Sequence, residues 1–392
     1  MNKDISSGPE ALLAARAAAL ARLAAFAPQA GPDYAQWRNY DFGQGAHRHV
    51  SCLSPYIRHR LITEEEVVRA VLAQHSPQMA EKFIQEVYWR TYWKGWLEMR
   101  PSLWADYLAD LAKLGPPSPH AQAAMAGQSG IACFDHWARE LITTGYLHNH
   151  ARMWFASIWI FTLGLPWQLG ADFFLNHLLD GDPASNTLSW RWVAGLQTPG
   201  KTYLATAENI TTFTQGRFAP APLHHGPAPA PVPNPAPQAL TPPSPLPDAP
   251  CLLLLTEEDL QAESLPINAQ HVLAIAGLRV QTDGLSPRVA AFRQEALADG
   301  LTRAAAHFGR DAPLIDAEGL IEHARTLGSE HIVTAYAPIG PIATRLNALA
   351  EQATAHGMRL HQVQRAWDIA AWPLATKGFF PFRQHIPSLL PQ

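Results

Sequence analysis

The chain has 392 residues, 47% hydrophobic and 16% charged, with a net charge of −4. That is enough for two domains with their own cores, and no apolar run is long enough to span a bilayer. The slightly acidic balance excludes a whole-chain cationic field for nucleic acid, though not a local basic patch. Residues 1–217 hold 18 basic and 18 acidic residues, which leaves 11 basic and 15 acidic of the chain's 29 and 33 for the remainder. The first part is therefore neutral and the second acidic. Cys52, Cys133 and Cys251 lie far apart, with neither metal-ligand spacing nor a disulfide framework. A reducing cytoplasm is the simplest compartment for such a chain.

Residues 9–27 are Ala-rich and read as an amphipathic helix, with Leu12, Leu13, Leu20 and Leu23 facing a core. Arg16 and Arg22 interrupt it, so it lacks the apolar block of a signal peptide. The segment from Asp33 to Val67 follows, with Ser51 and Ser54 ahead of SPYIRHRL. Small hydroxyls at a helix start serve as N-caps or cradle an anion, because unpaired backbone donors point outward there. Met79–Met99 reads as a helix. Glu86 and Trp89 share a face, and Trp93 and Trp96 continue it. An aromatic stripe used only for packing explains that pattern equally well. Residues 114–128 read as a Pro/Gly-rich loop.

Residues 143–201 are dense in tryptophan and carry polar residues that a purely structural helix pair does not need. Asn149, Arg152 and Met153 share one helix face, and Phe155, Ile158, Trp159 and Leu163 can bury the other. Asp180-Gly181-Asp182 places two carboxylates in one turn. Asn186, Trp190 and Trp192 come next. An arginine near two carboxylates and an amide, walled by indoles, suits a large polar ring system. A Trp-rich core with Arg152 paired to Asp180 accounts for the same residues.

Residues 218–250 alternate Pro and Ala and read as a semi-rigid polyproline spacer. Beyond it, CLLLLTEEDL, HVLAIAGL, APLIDA, HIVTAYAP and RLHQVQ read as buried strands alternating with helices. Gly300 and Gly309 are expected as breaks in the first of those helices. This is a doubly wound α/β pattern. It contains neither G-x-G-x-x-G nor G-x-x-x-x-G-K, so dinucleotide or P-loop binding has no support.

TGYLHNHARM, then LPWQLG, then LLDGDPASNTLSWRW resemble, in order and spacing, the flavin-binding core of the photolyase/cryptochrome family. The family pattern there is TG(W/Y)MHNRxRM, then W, then DGDxAxNxxxWQW. The resemblance extends more weakly over residues 34–218, including the ELIWREFY-like Glu86–Trp93 and the GxTGxPxxDAAMRxL-like 127–141 with Asp135. It implies an all-α FAD-binding and catalytic domain over 1–217, the linker over 218–250, and an antenna-type α/β domain over 251–392, ending in a WPLATKGFFPF segment. The family's domain order would then be reversed.

The resemblance implies FAD, held by Tyr34, Ser51, Leu53, Ser54, Arg90, Asn149, Arg152, Asp180, Asp182, Asn186 and Trp190. Asn186 would face the flavin N5. Glu86, Trp89, Asn149, Met153 and Trp192 would form a pocket for a cyclobutane pyrimidine dimer. Arg38 and His150 would contact DNA. Trp190 and Trp167 would begin an electron-conducting chain, with Trp104, Trp154 or Trp159 as its third member. The implied activity is deoxyribodipyrimidine photo-lyase, a light-dependent repair of UV-damaged DNA, whose strand form, single-stranded included, stays open. A cryptochrome-like blue-light sensor that binds FAD without repair is the alternative. The expected protein is a cytoplasmic monomer with no metal and no membrane contact, and an antenna chromophore is an open question. Val50, Cys52, Thr91 and His150 depart from the family pattern, and the loop from Arg38 to Ser51 is about four residues longer.

Overall fold

The computed structural model describes residues 12–391. Up to residue 217 the described chain is helical: α1 (Arg16–Phe26), α2 (Pro32–Trp37), α3 (Ser54–Arg58), α4 (Glu64–Leu72), α5 (Glu81–Glu98), α6 (Ser102–Leu114), α7 (Pro119–Met125), α8 (Ala132–Thr144), α9 (Asn149–Ser157), α10 (Trp167–His177), α11 (Pro183–Val193) and α12 (Ala207–Phe213). A short π-helical stretch, Ile158–Thr162, extends α9 and carries Trp159.

Local chemistry sets these boundaries. Thr63 and Glu66 form a reciprocal capping box at the start of α4. Ser118 caps α7 inside the stretch expected to be a loop. Gly145 ends α8 at φ 71°, a left-handed conformation that glycine adopts without strain. The first expected helix needs correction. Its residues 9–11 lie outside the described residues, and α1 turns Ala19, Leu23 and Phe26 inward. Leu13 and Leu20 are exposed.

Helix α5 is the axis of the molecule. Apolar residues cover most of its circumference, and Phe83, Ile84, Val87, Tyr88, Tyr92, Trp93, Trp96 and Leu97 are all buried. A helix apolar nearly all round must be packed on every side.

Residues 218–250 form no helix or strand. The segment read as a semi-rigid spacer is a strap laid on the helices. The Gly226 N–H donates to the Phe161 carbonyl at 2.7 Å, the Gln238 N–H to the Met99 carbonyl at 2.8 Å, and Arg100 Nε to the Pro235 carbonyl at 3.0 Å. Asn234 joins Gln197 and Arg191 at 2.9 and 3.0 Å. Proline has no N–H to offer, so the strap docks through its carbonyls and its few other residues.

The strands are β1 (Cys251–Leu255), β2 (Val272–Leu278), β3 (Leu314–Ile315), β4 (His331–Ala335) and β5 (Arg359–Val363). All pairings are parallel, in the order β3-β2-β1-β4-β5. Helices α13 (Pro287–Phe308), α14 (Ala317–Thr326) and α15 (Pro341–Ala355) make the crossovers. Alternate residues of a strand face opposite sides. On β1, Leu252 and Leu254 join a small core with Leu320, Ile332 and Leu346. Cys251, Leu253 and Leu255 join the large core that runs unbroken into the helical part.

Gly300 does not break its helix: α13 runs through it. A Cβ there would lie 3.2 Å from Leu260 Cβ, so glycine serves close packing. Gly309, at φ 63°, ends the helix as expected.

After β5 the chain returns to the helical part. α16 (Ala366–Ala371), α17 (Phe379–Arg383) and α18 (Ile386–Leu389) lie along α5. Trp367 stacks on Tyr88 at 4.6 Å. The Tyr88 and Tyr92 hydroxyls donate to the Leu389 and Lys377 carbonyls at 2.8 and 2.9 Å. Trp367 also donates to Thr91 Oγ1 at 2.9 Å, which gives that residue a packing role where the family carries an acid.

Candidate functional site

In an open α/β sheet the crevice lies beyond the carboxyl ends of the strands where the order reverses, here between β1 and β4. The helical part fills it. The turn after β1, Thr256-Glu257-Glu258-Asp259, enters a group of buried cations. Arg58 meets Glu258 at 2.8 Å and Asp182 at 3.8 Å. Lys94 lies 3.7 Å from both of those acids. Arg60 contacts Glu64 at 3.3 Å, Asp259 at 3.3 Å and Asp368 at 2.6 Å. Arg365 grips both Asp259 oxygens at 2.6 and 2.7 Å. His59 shares a hydrogen with the Glu257 carbonyl at 2.7 Å. Burial alone would raise the Asp182 carboxyl, but Lys94, Arg90 and Arg58 overcome it and hold the group ionised. The reading from sequence missed this cluster, although charges flanking apolar runs at SPYIRHRL and CLLLLTEED were its visible signal.

Beside the cluster stand the expected cofactor residues. Arg152 pairs with both Asp180 oxygens at 3.1 and 2.9 Å, and its Nε donates to the Leu147 carbonyl at 2.9 Å. A bidentate pair of this kind fixes the guanidinium plane. The Arg152 side chain remains 24% exposed while Asp180 is enclosed. Asp182 caps α11 through the Ser185 N–H at 2.7 Å, and one turn on, the Asn186 amide donates to the Ala171 carbonyl at 2.8 Å.

Arg90 is the least satisfied cation. Its Nε and one terminal nitrogen are buried without a hydrogen bond, and Asp182 stays 3.8 Å away. A buried guanidinium with idle donors suits an anionic group such as a diphosphate. On that donor set the residues present fit FAD. Leu53 is buried, and its N–H is bound to Ser51 Oγ at 3.3 Å. Tyr34 is buried against Phe26 and Phe83, and burial, with Glu86 nearby, pushes its phenol up. Cys52 bends the chain at φ 50°. Burial raises its thiol, which lies close to Tyr146.

Glu86 and Trp89, expected to line the dimer pocket, lie within one turn of Arg90 on α5. Glu86 is 40% exposed, with Arg38 3.9 Å away. Its surroundings push the carboxyl up, and Arg38 pulls it back. Trp89 stacks one face on Phe379, at 3.6 Å between ring centroids and 12° between planes. Trp89 is half-buried, as are Met153 and Trp192, while Asn149 is exposed at the start of α9. Trp192 stacks on Tyr203 at 5.6 Å. His150 lies flat on Trp154 at 4.9 Å, with Nδ1 against the Asn39 carbonyl at 2.7 Å. Burial lowers its pKa, so this ring brings no charge to phosphate at neutral pH.

Trp190 has Trp159 as its neighbouring indole, edge to face at 6.3 Å, with Phe174 at 5.1 Å. Trp167 belongs to another row, 5.7 Å from Tyr107, which lies 5.3 Å from Trp104. Trp154 stacks instead on Trp137 at 5.4 Å. Asp135 is taken up in a local turn, accepting from the Ser129 and Gly130 N–H groups. Among the described residues, no cluster of His, Cys, Asp and Glu is arranged to hold a metal, and no helix is long and apolar enough to cross a membrane.

This helical scaffold, with its arginine–carboxylate pair, is similar to a flavin-binding domain. Residues 83–217 match the family model described as the FAD binding domain of DNA photolyase. Over those residues the chain is similar to the photolyase/cryptochrome family. It is similar to the deoxyribodipyrimidine photo-lyase of Streptomyces griseus, 34% identical over 150 residues, covering 38% of this chain and 33% of that protein. It is also similar to that of Escherichia coli, 28% identical over 195 residues, covering 47% of this chain and 40% of the relative. The chain thus spans between a third and two-fifths of the length of these relatives. Among solved structures, a bacterial class III photolyase from Agrobacterium tumefaciens is 26% identical with a TM-score of 0.44, over 51% of this chain and 43% of that one.

Proposed function

We propose that this chain is a light-dependent DNA repair flavoprotein, a deoxyribodipyrimidine photo-lyase acting on cyclobutane pyrimidine dimers. The observation that carries the reading is the placing of two residues on α5: Glu86 and Trp89 stand together, both partly exposed, within one turn of Arg90 with its idle donors. Bound FAD supplies the light-excitable electron donor. The chain's own residues do the rest. Arg90 binds the diphosphate. Arg152, planar against Asp180, sets positive charge beside the ring system, where it favours an anionic form. Asn186, held by Ala171, offers an uncharged amide to N5. Trp89 offers its free face to a base, and Glu86, whose carboxyl is pushed up, offers a proton or a hydrogen bond to it. A flipped-out lesion is cheaper to bind than an intact pair, because its stacking is already damaged. Residues 251–392 are read as the family's α/β domain, placed after the helical domain instead of before it.

The test is an absorption spectrum of the purified protein, before and after blue light with a reductant, followed by incubation with UV-irradiated oligothymidylate. Flavin bands, reduction in light and loss of dimers support repair. Flavin and photoreduction without dimer loss mark a sensor. A protein that takes up no flavin overturns both.

A further inference from the structure

We propose that the segment after α2 is a stacking platform for single-stranded DNA, next to the pocket. The proposal rests on the reading that this molecule handles DNA. Four rings stand together there. Trp37 lies 5.2 Å from Tyr40 and 5.6 Å from His49, and Phe42 lies 6.0 Å from Tyr40 and 5.2 Å from His49. All four remain half-buried, although each is in contact with others. Arg48 is exposed, its guanidinium 5.6 Å above Phe42, and Arg38 lies at the other edge.

These rings are not on a loose loop. Asp41, only 1% exposed, pins the turn from inside. It accepts from the Gly43 N–H at 2.9 Å and from Trp137 Nε1 at 3.2 Å, and pairs with Arg217 at 2.8 Å. Gly43 has φ 93°, and a Cβ there would strike the Arg217 guanidinium at 2.9 Å. Arg217 covers the Asp41 charge, so it does not repel phosphate. Asp33 and Glu86 are nearby acids, against Arg38 and Arg48, and the buried Glu140 faces His47 at 3.5 Å. A rigid scaffold that keeps a cluster of partly exposed aromatic rings beside arginines offers what unpaired bases require: stacking surface and phosphate contacts, with no hydrogen-bond code. A duplex keeps its base faces stacked inside, so the matching partner is a single strand.

The platform is continuous with the pocket. Arg38 reaches within 3.9 Å of Glu86. The Asn39 carbonyl holds His150 at 2.7 Å. Phe213 touches both Tyr40 and His150, at 5.0 and 5.1 Å. A strand with its lesion at Glu86 and Trp89 would lay flanking bases on Trp37 and Phe42. The segment is also longer than the family pattern, so the platform is a feature of this chain.

The test is dark binding of an undamaged, labelled sixteen-residue oligothymidylate to the full chain, by fluorescence anisotropy. The wild type should bind it more tightly than a duplex of equal length. Phe42→Ala should weaken single-strand binding roughly 5- to 150-fold, the range for one lost stacking contact, with Phe42→Tyr restoring it. Arg48→Gln, at an exposed position that folding does not need, should reduce the salt slope of log Kd by about 0.7. The proposal is overturned if the wild type shows no preference for the single strand, or if Phe42→Ala and Arg48→Gln both bind as wild type. The oligonucleotide contains no dimer and its binding needs no light. A protein that binds it yet repairs nothing keeps the platform and loses the repair reading; one that repairs duplex dimers but ignores it does the reverse.

Discussion

Phe379, near the end of the chain, covers one face of Trp89, in the middle of α5, with planes 12° apart. The indole proposed to meet the lesion is therefore held from behind by the segment that follows the sheet. The Phe379 ring is itself wedged between Tyr92 and Phe382, at 5.5 and 5.9 Å. Phe379→Leu removes the stack and keeps most of the apolar volume. The expected loss of stability is about 1–2 kcal/mol, the worth of an aromatic pair with some packing loss. Affinity for UV-irradiated oligothymidylate should fall as well, and Phe379→Tyr should restore it. Phe382→Leu, in the same cluster but not against Trp89, should lose stability and keep affinity. Urea unfolding and dark binding read the two effects separately, and equal affinity for Phe379→Leu and wild type would remove Phe379 from the pocket.

Arg60 couples both parts of the chain under backbone strain. Its φ is 47° and it is 3% exposed, a conformation that costs a non-glycine residue roughly 1–2 kcal/mol. Three carboxylates, Glu64, Asp259 and Asp368, hold it there. Arg60→Gly relieves the strain and leaves Asp259 to Arg365, but strands Glu64 and Asp368, a loss of about 3–5 kcal/mol. The net expectation is destabilisation by about 2–3 kcal/mol in urea unfolding. Adding Asp368→Asn should recover part of it, because one stranded charge is gone. A glycine variant as stable as wild type would mean that the ion cluster contributes nothing.

Much of the fold was legible in the sequence, because it rests on short-range pattern. Strand and helix periods mark β1, β2, α5 and α13 directly, and the Gly309 stop is local. For Asn149, Arg152, Asp180 and Asn186, spacing alone left a Trp-rich core and a ring-binding site open, and the family resemblance is what proposes a cofactor there. What stayed hidden joins residues far apart. Trp89 and Phe379, or Arg60 and Asp368, meet only after the last helices return to α5, and no periodicity encodes that return. Gly300 was misread because a helix break and a tight approach to Leu260 look alike in one dimension. The linker's composition said nothing of the Pro235 carbonyl that accepts from Arg100 or the Gly226 N–H that donates to the Phe161 carbonyl.

Acid should loosen the molecule before its carboxylates titrate. His59 and His148 are 0% and 2% exposed. Burial pushes both imidazoles down, and Arg58 and Arg293 push His59 further, while Asp41 partly opposes the shift at His148. Above pH 7 both are neutral in the folded and unfolded chain and have no effect. Below about pH 6.5 the unfolded chain takes up protons that the folded one refuses, so stability falls with pH. Two such groups lower it by roughly 2.7 kcal/mol per pH unit, or about 4 kcal/mol by pH 5. Asp182 and Asp259, held low by their cations, add a second loss only below about pH 4. His148 caps α9 by accepting from the His150 N–H, and asparagine caps well. His148→Asn should therefore keep the helix and remove one proton from the slope of urea stability between pH 6.5 and 5. An unchanged slope would assign the acid sensitivity elsewhere.

Arg90 separates holding the fold from holding the cofactor. Its buried Nε and terminal nitrogen make no hydrogen bond. The acid it faces, Asp182, keeps Lys94 at 3.7 Å and Arg58 at 3.8 Å when Arg90 is removed. Arg90→Met fills a similar volume without the charge, so the flavin-free protein should unfold within about 1 kcal/mol of wild type. Flavin retention should suffer, because a charge-assisted hydrogen bond to an anionic group is worth about 1.5–3 kcal/mol, at least tenfold in Kd. The flavin-free protein is titrated with FAD and followed by flavin fluorescence, with thermal unfolding of the same samples as the control. Loss of binding with an intact transition places the diphosphate at Arg90. Loss of the transition itself makes Arg90 a counter-ion of Asp182, and moves the anion toward Ser51 and Ser54.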